Sequence, residues 1–541
     1  MFETDCLYAD LALPGELRER DTLARERFGI PAAVLMENAA RVALEEIRRR
    51  LPLRATSRIL VFMGKGNNGG DGAALARILS GTGAASGAGA EGQVLVVATT
   101  TLELLPEPAA THCAAAKKVG VPFICAADDA VPPLPQEWLC PDLVVDAISG
   151  SGLKGELRPR ELAFVRAVNS FRERSFIAAL DIPSGLCGHR GRPRPEAVRA
   201  HLSIAFEAAA LGLRLFGADT YSGELAVRDI GIPKAARAGD PACRLLSPYP
   251  GAHFLPAKDL HKGRAGKVLI VGGSGDMPGA PVLAALGALR AGAGIVHLAL
   301  PVGARARIAP AFPEFISHTL GGGEDFSATD ARALPELLRA LRPDSLVLGP
   351  GAGRKEGVRA LLAALLAEES RPPTVFDADA LYFMGTDLAG LKSRDVLTPH
   401  PGEAARLLPD TFFGNKMKPT MREKARLVQE DRVEALAALV ALTPACVVLK
   451  GAHTLIRQRG GPLTLAPFAE PALAAGGSGD VLAGAVGALL AHGLPAPEAA
   501  ALGVHLHGRA GELLAGKSPC GHKASEIADA IPLARMELCA G

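Results

Sequence analysis

Three groups of polar residues in the first half of the chain could hold a phosphate or do acid–base work. Asn67, Asn68, Gly69, Gly70 and Asp71 follow the apolar run Arg58–Met63. Asp146 ends a second run and leads to Gly150, Ser151, Gly152, Leu153, Lys154, Gly155 and Glu156. Asp181, with Ser184 close behind, follows Phe176–Leu180. A glycine turn that opens a helix offers unpaired backbone N–H groups to an anion, although glycines alone serve a tight turn equally well. The carboxylates carry the argument further. Asp146 and Asp181 both follow apolar runs, where an unpaired carboxylate is costly. Each either caps a helix or joins a site, and three such coincidences favour the site.

The second half carries its own set. His261-Lys-Gly-Arg-Ala-Gly266 precedes the run Lys267–Val271, and Gly272–Gly275 with Met277-Pro-Gly-Ala280 follow it. Further on come Gly349-Pro-Gly-Ala-Gly353, Asp377-Ala-Asp379, Thr398-Pro-His400-Pro-Gly-Glu403, and Lys450-Gly451-Ala452-His453-Thr454. The last is Ala475-Gly-Gly-Ser-Gly479-Asp480. Here a glycine loop opens onto a helix expected from Asp480 to His492, so its N–H groups and positive dipole end face an anion. Asp480 at the helix start is then placed to take a proton from a substrate hydroxyl. Phosphoryl transfer needs mainly positioning, charge stabilisation and such a base. A carboxylate at a helix start is also common without any chemistry, but four small residues before it argue for close approach by a ligand. His400, fixed between two prolines beside Glu403, is a candidate substrate contact; a lone histidine is as often structural.

These residues must be held by elements, and the pattern around them is regular. Short β-branched runs end in glycine-rich turns and pass into helical stretches: Arg58–Met63 before a helix from Ala73 to Leu79, then strands Gln93–Ala98, Asp142–Ala147 and Phe176–Leu180. The theme restarts at Lys267–Val271 and continues through Gly294–Leu300, Ser345–Leu348, Thr374–Phe376 and Cys446–Leu449. Such alternation implies parallel sheets covered on both faces. The stretch from Asp240 to His253, rich in proline and glycine, suits a linker, and Gly81–Gly92 suits a surface loop. The expectation is an α/β chain of two domains in tandem, split near residue 245.

Bulk properties agree and exclude some classes. A chain of 541 residues is too long for one core. With 59 basic and 57 acidic side chains the net charge is +2, which gives no electrostatic footprint for nucleic acid or an anionic membrane. Nine cysteines show no CxxC, and an odd count argues against a secreted disulfide framework. The start, Met1 to Arg20, lacks a basic-then-apolar leader, and runs such as Val481–Ala491 are too short to span a bilayer. A cytoplasmic protein is expected, with neither nucleic acid nor membrane as partner.

Four motifs in the first half, Met36-Glu-Asn-Ala-Ala40, Gly66–Gly72, Val145–Gly152 and Asp181–Leu186, resemble the NAD(P)H-hydrate epimerase family in the same order. The resemblance implies that Asn68, Asp146 and Ser184 hold a potassium ion. It implies that Asn67–Asp71 and Gly150–Glu156 cradle the dinucleotide, with Asp181 at the hydrated nicotinamide ring as general acid and base. The family usually has Phe and Thr where Ser149 and Ser151 stand, and often a lysine at the place of Ala210. From His261 to Ala515 the chain resembles the ADP- or ATP-dependent NAD(P)H-hydrate dehydratases, a branch of the ribokinase-like superfamily, with Thr411–Pro419 as a variable loop. This second resemblance implies that Lys450, Gly451, Ala452, His453, Thr454 and Gly479 bind the adenine nucleotide, ADP with Mg2+. Ala280, Gly353, His400 and Asp480 would contact the hydrated dinucleotide.

Taken together, the resemblances imply two three-layer αβα domains: residues 1–245 a Rossmann-like epimerase, and 246–541 a ribokinase-like, ADP-dependent dehydratase. The pair would interconvert the R and S hydrates of NADH and NADPH and dehydrate the S form, releasing AMP and phosphate, as a homo-oligomer. The alternative is a ribokinase-like kinase of a vitamin-precursor alcohol, carrying an N-terminal dinucleotide-binding module.

Overall fold

The computed structural model describes the chain except for residues 1–7, 55, 82–92, 216, 238–240, 247–261, 264, 309–312, 415–418 and 541. It divides into two compact units, one of Asp10–Cys243 and one of Arg244–Gly541 with the start of the chain. The stretch expected as a linker holds a short strand, Cys243–Leu246; most of its remainder lies outside the described residues, as do His261, Arg264 and most of the small-residue tract that ends at Gly92.

The first unit is built on β1 (Arg58–Met63), β2 (Gln93–Ala98), β3 (Phe123–Cys125), β4 (Leu143–Ala147), β5 (Phe176–Leu180), β6 (Leu202–Phe206) and β7 (Glu224–Arg228). They form one seven-stranded sheet in the order β3-β2-β1-β4-β5-β6-β7. Every pairing is parallel. Because successive side chains of a strand point to opposite faces, β1 alone shows why the unit has three layers. Ile59, Val61 and Met63 pack with residues of α2 (Ala32–Arg50) and α3 (Asn67–Gly81). Leu60 and Phe62 pack on the other face with Phe164, Val165 and Val168 of α5 (Pro159–Ser170); α1 (Pro14–Glu26) and α4 (Ala109–Lys118) are further helices of this unit. Strand order reverses between β1 and β4, and the crevice beyond their carboxyl ends is where open sheets of this kind take ligands.

The second unit repeats the plan. Its strands β8 (Lys267–Val271), β9 (Ile295–Leu300), β10 (Ile316–Thr319), β11 (Ser345–Leu348), β12 (Thr374–Phe376), β13 (Val396–Leu397) and β14 (Cys446–Leu449) pair in parallel, ordered β10-β9-β8-β11-β12-β13-β14. Two antiparallel strands, β15 (Leu455–Arg457) and β16 (Leu463–Leu465), follow. Val268 and Ile270 pack beneath α6 (Ala280–Arg290) and α7 (Ser478–Ala491). Leu269, Val271, Leu346 and Leu348, of the opposite parity, are fully buried too, so this sheet is also covered on both faces.

The abundance of small residues has a mechanical reason. A Cβ on Gly484 would lie 1.8 Å from the carbonyl oxygen of Ala284, so α6 and α7 touch backbone to backbone. This contact brings the α7 amino end down to the strand ends. Gly484→Ala is therefore expected to destabilise the protein by about 1–3 kcal/mol through overpacking, measured by urea denaturation; wild-type stability would contradict so close a helix contact.

Candidate active sites

In the first unit the residues after β1, β4 and β5 converge on a cavity of about 710 Å3. Its walls include Asn67, Asn68, Asp71, Gly150, Ser151, Gly152, Leu153, Lys154, Glu156 and Asp181. Gly69, Gly70 and Gly155 do not reach it. The helix expected from Ala73 begins instead at Asn67, so the Asn-Asn-Gly-Gly-Asp motif is the first turn of α3. Gly69 and Gly70 are packed against neighbours: their Cβ positions would meet the Gly64 carbonyl oxygen at 1.9 Å and the Met36 sulfur at 2.5 Å. They let the helix start against its neighbours, while Asn67, Asn68 and Asp71 face the cavity.

Asp181 sits at the end of β5 with φ +62, a left-handed conformation that aspartate and asparagine tolerate better than most residues. The Ser151 N–H donates to its Oδ2 at 2.6 Å. A Cβ on Gly150 would fall 2.5 Å from the same oxygen, so the loop after β4 can meet Asp181 only because residue 150 is glycine. Burial raises the Asp181 pKa above the ordinary carboxylate range, partly offset by its bonds to Ser151. Asp71 is held well above that range by burial and by Asp181 and Asp21. Asp21, on α1, is pushed to about 6 by burial and Asp181. Three mutually repelling carboxylates thus share one cavity. Asp21 escaped the sequence reading because no motif surrounds it and its helix precedes the first recognisable one. Arg18 and Arg25 come from the same helix and line the same wall.

Asp146 and Ser184 lie beneath the cavity floor. Asp146 accepts from the Ser184 hydroxyl (2.5 Å), the Ser184 N–H (2.7 Å) and the Ile148 N–H (3.2 Å). Burial lifts its pKa to about 6 against those bonds. The Ser149 N–H in turn donates to the Ser184 hydroxyl at 2.8 Å. Both atoms of the buried Asn68 amide and the Ser149 hydroxyl have no protein partner. Ala210 is buried in an apolar cluster with Ala12, Leu17 and Leu213, so the position is part of the packing.

In the second unit, Ala280, His400 and Asp480 line a cleft of about 440 Å3 together with Gly351, Arg354, Asp379, Tyr382, Glu403, Arg406 and Arg422. Gly353 stands just behind it, its N–H donating to Asp379 Oδ2 at 2.9 Å. The helix expected from Asp480 begins two residues earlier, at Ser478, capped by Gly477 at φ +90. Asp480 is therefore in the first turn, facing the cleft. Ser478 is fixed from α8 (Ala496–Ala515): His507 Nε2 lies 2.9 Å from its hydroxyl and 3.0 Å from its carbonyl oxygen.

Lys450, at the end of β14, lies behind the cleft and orders its charge. Its Nζ donates to Asp377 at 2.7 Å and stands 3.8 Å from Glu403; a Cβ on Gly479 would lie 3.2 Å from it. Burial works against this ammonium, but Asp377, Glu403 and Asp480 outweigh it and its pKa is raised. Burial and then Asp377 push Asp480 to about 7 against the pull of Lys450. Glu403 is likewise pushed to about 7, by burial first. Gly451, Ala452, His453 and Thr454 form a tight turn, His453 at φ +53, with the Thr454 hydroxyl donating to the Gly451 carbonyl oxygen at 2.9 Å. Arg432, buried, donates to the carbonyl oxygens of Ala452 (2.5 Å) and Leu449 (2.9 Å) and pins that turn.

His400 is both structural and exposed to the cleft. It caps α9 (Pro401–Leu407): its Nδ1 accepts from the Gly402 N–H at 3.0 Å, while the His400 N–H donates to Glu403 at 2.8 Å. The sequence reading missed the guanidinium rim. Arg354 and Arg406 each lie 4.7 Å from the centre of the Tyr382 ring, cation–π contacts between residues distant in the chain. Among the described residues no group of three or more His, Cys, Asp or Glu side chains is placed to hold a metal ion, and no helix is long and apolar enough to cross a membrane.

Fold and sites define the class: an α/β chain with a carboxylate-lined cavity of about 710 Å3 in one unit and, in the other, a cleft of about 440 Å3 whose wall carries Asp480 from the first turn of α7. Residues 32–212 match the family model described as YjeF-related protein N-terminus, and residues 268–533 match that of NAD(P)H-hydrate dehydratase. A bifunctional NAD(P)H-hydrate repair enzyme of Moorella thermoacetica is 37% identical over 514 residues, 93% of this chain and 92% of its own length. One of Coxiella burnetii is 33% identical, covering 92% and 93%. The chain belongs to the family of bifunctional NAD(P)H-hydrate repair enzymes. A Bacillus subtilis ADP/ATP-dependent NAD(P)H-hydrate dehydratase, co-crystallised with ATP and Mg2+, is 27% identical with a TM-score of 0.43, over 52% of this chain and 94% of that one.

The repulsion among Asp21, Asp71 and Asp181 makes a stability prediction. Their folded pKa values lie above the ordinary carboxylate value near 4. The folded state therefore holds protons that the unfolded chain releases, and stability falls as pH rises through about 6 and beyond. Asp71→Asn removes one member of the set and should flatten that fall. Melting temperatures between pH 4 and 8 check it; equal slopes in both proteins would contradict the electrostatic arrangement.

Proposed function

We propose that the two units repair hydrated NADH and NADPH in succession, the first interconverting the R and S hydrates and the second dehydrating the S form with ADP, releasing AMP and phosphate. The observation that carries this reading is Asp480 in the first turn of a glycine-led helix, facing a cleft beside a buried lysine. The identity to two-function relatives over nearly the whole chain supports it over a kinase for a vitamin-precursor alcohol. In terms of residues, 1–245 would be the epimerase and 246–541 the dehydratase. The reading includes a homo-oligomer working in the cytoplasm.

In the second unit, Asp480 takes the proton of the ring hydroxyl while the terminal phosphoryl group of ADP passes to that oxygen. Backbone N–H groups of the α7 start would meet the charge that develops on the phosphoryl oxygens, with the Lys450 ammonium adding positive charge from behind the cleft. Hydroxide leaves poorly; as phosphate it leaves readily, assisted by the lone pair of the ring nitrogen. Loss of a neighbouring ring proton then restores the dihydronicotinamide. Lys450, Gly451, Ala452, His453, Thr454 and Gly479 would hold the nucleotide, and Ala280, Gly353 and His400 the hydrated dinucleotide. Mg2+ would enter on the nucleotide phosphates, as is usual for this ion.

In the first unit, Asp181 protonates the ring hydroxyl and then deprotonates the water that returns to the other face, with Asn67–Asp71 and Gly150–Glu156 around the dinucleotide. The all-oxygen set of Asn68, Asp146 and Ser184, with the unpartnered Asn68 amide, fits a potassium ion, which those residues would hold and which would supply positive charge beside the dinucleotide.

Asp480→Asn should lower ADP-dependent dehydration by about 100-fold to 10,000-fold and leave epimer exchange intact. Asp181→Asn, chosen because asparagine tolerates the left-handed backbone, should do the reverse. Because Asp480 must be ionised to act, dehydration should rise with pH through about 7 and then level off. Recovery of absorbance from hydrated NADH and the epimer ratio by chromatography read the two activities; an Asp480→Asn protein that dehydrates normally would refute the assignment.

A further inference from the structure

The dehydration proposed above releases two protons, one from the ring hydroxyl and one from the ring carbon beside it, and Asp480 can receive only the first. Once it holds the hydroxyl proton it is an acid, so the proton from carbon goes either to the departing phosphate or to a second side chain of the protein. The protein offers four groups at or just behind the cleft. Asp377 is almost fully buried, does not line the cleft, and is engaged by Lys450 Nζ at 2.7 Å and the Thr398 hydroxyl at 2.8 Å. Asp379 lines the cleft, but its Oδ2 accepts from the Gly353 N–H at 2.9 Å and its Oδ1 pairs with Arg354 at 3.4 Å. His400 lends its Nδ1 to the N–H groups of Gly402 and Glu403, at 3.0 and 3.4 Å. Neutral imidazole so engaged carries its proton on Nε2 and is a donor, not an acceptor.

Glu403 is left. It lines the cleft with Asp480. Its Oε2 accepts from the His400 N–H at 2.8 Å and stands 3.8 Å from Lys450, and its Oε1 lies 3.5 Å from His400 Nε2. The backbone contact fixes the carboxylate at the first turn of α9, and among the described residues the second oxygen makes a long contact to the imidazole. Lys450 is close to both Glu403 and Asp480, so the two carboxylates share one counter-cation.

We infer that Glu403 is a second catalytic residue of the dehydratase, the group that accepts the proton from the ring carbon next to the one that loses phosphate. The step balances without an oxidant or reductant. The carbon–oxygen bond breaks with its electron pair going to phosphate, and the nitrogen lone pair forms a carbon–nitrogen double bond. The neighbouring carbon–hydrogen bond then breaks, its pair forming the ring double bond and neutralising the nitrogen, while the proton passes to Glu403. A pKa near 7 for Glu403 suits a base acting beside such an activated carbon.

The inference rests on the dehydratase reading, and one experiment separates their failures. Glu403→Gln keeps the helix cap, since glutamine serves at that position as glutamate does. With hydrated NADH, ADP and Mg2+, AMP formation and recovery of the NADH absorbance are measured together. The wild-type protein should form one AMP for each NADH recovered. In E403Q the cation left by departing phosphate should take up water again, so that AMP still forms while NADH recovery falls about 100-fold and the ratio of AMP to NADH rises at least about 10-fold. A ratio that stays at one in E403Q, whatever its rate, overturns the inference. Should E403Q form no AMP, Glu403→Asp is read in the same way, and loss of AMP formation in both variants also overturns it by assigning Glu403 to the phosphoryl step or to packing. Absence of AMP formation in the wild-type protein would instead sink the dehydratase reading and this inference with it.

Discussion

Carboxylates resist burial, and this chain buries them at the carboxyl ends of its strands in both units. Each must be met by a donor or a cation, or remain protonated longer than it would in water. The two units answer that constraint differently. Around Asp181 the first unit gathers further carboxylates and satisfies them only in part, through backbone N–H groups such as that of Ser151. The second places a lysine among its carboxylates. In both cases the result is a set of acids whose pKa values are raised above the ordinary carboxylate range, which suits removing and returning a hydroxyl.

The architecture that holds these acids follows from side-chain size. Backbone contact between α6 and α7 depends on glycine at two points of the seam, Gly287 against the Val481 carbonyl and Gly484 against that of Ala284, and it brings the start of α7 close to the strand ends. The glycines of the first motif act likewise: Gly69 and Gly70 make room for the start of α3. At Gly69 and Gly70 glycine therefore serves packing, and the exposed N–H groups follow from bringing a helix start so close to its neighbours.

Much of this was legible in the sequence. Strands Arg58–Met63, Gln93–Ala98, Phe176–Leu180, Lys267–Val271, Ser345–Leu348, Thr374–Phe376 and Cys446–Leu449 run where the β-branched runs put them, because a strand buried on both faces leaves a continuous apolar signature. Helix starts were less visible. Asn67–Gly72 and Ser478–Gly479 read as loop, since glycine and asparagine are poor helix formers in isolation, yet tertiary contact makes them the first turns of α3 and α7. Asp21 and the Arg354–Tyr382–Arg406 stack were not legible. Each depends on residues from separate elements meeting in space, and no spacing along the chain records that.

Arg432 shows how the second site can titrate without coming apart. The turn that follows β14 is held by backbone bonds and by this guanidinium, which takes the carbonyl oxygens of Leu449 and Ala452. Burial lowers the pKa of Arg432 only to about 10, so it stays cationic throughout the range in which Asp480 and Glu403 gain and lose protons. The molecule thus keeps permanent charge for scaffolding apart from reversible charge for chemistry. A proton can come and go at the acids while the main chain carrying Lys450 stays anchored.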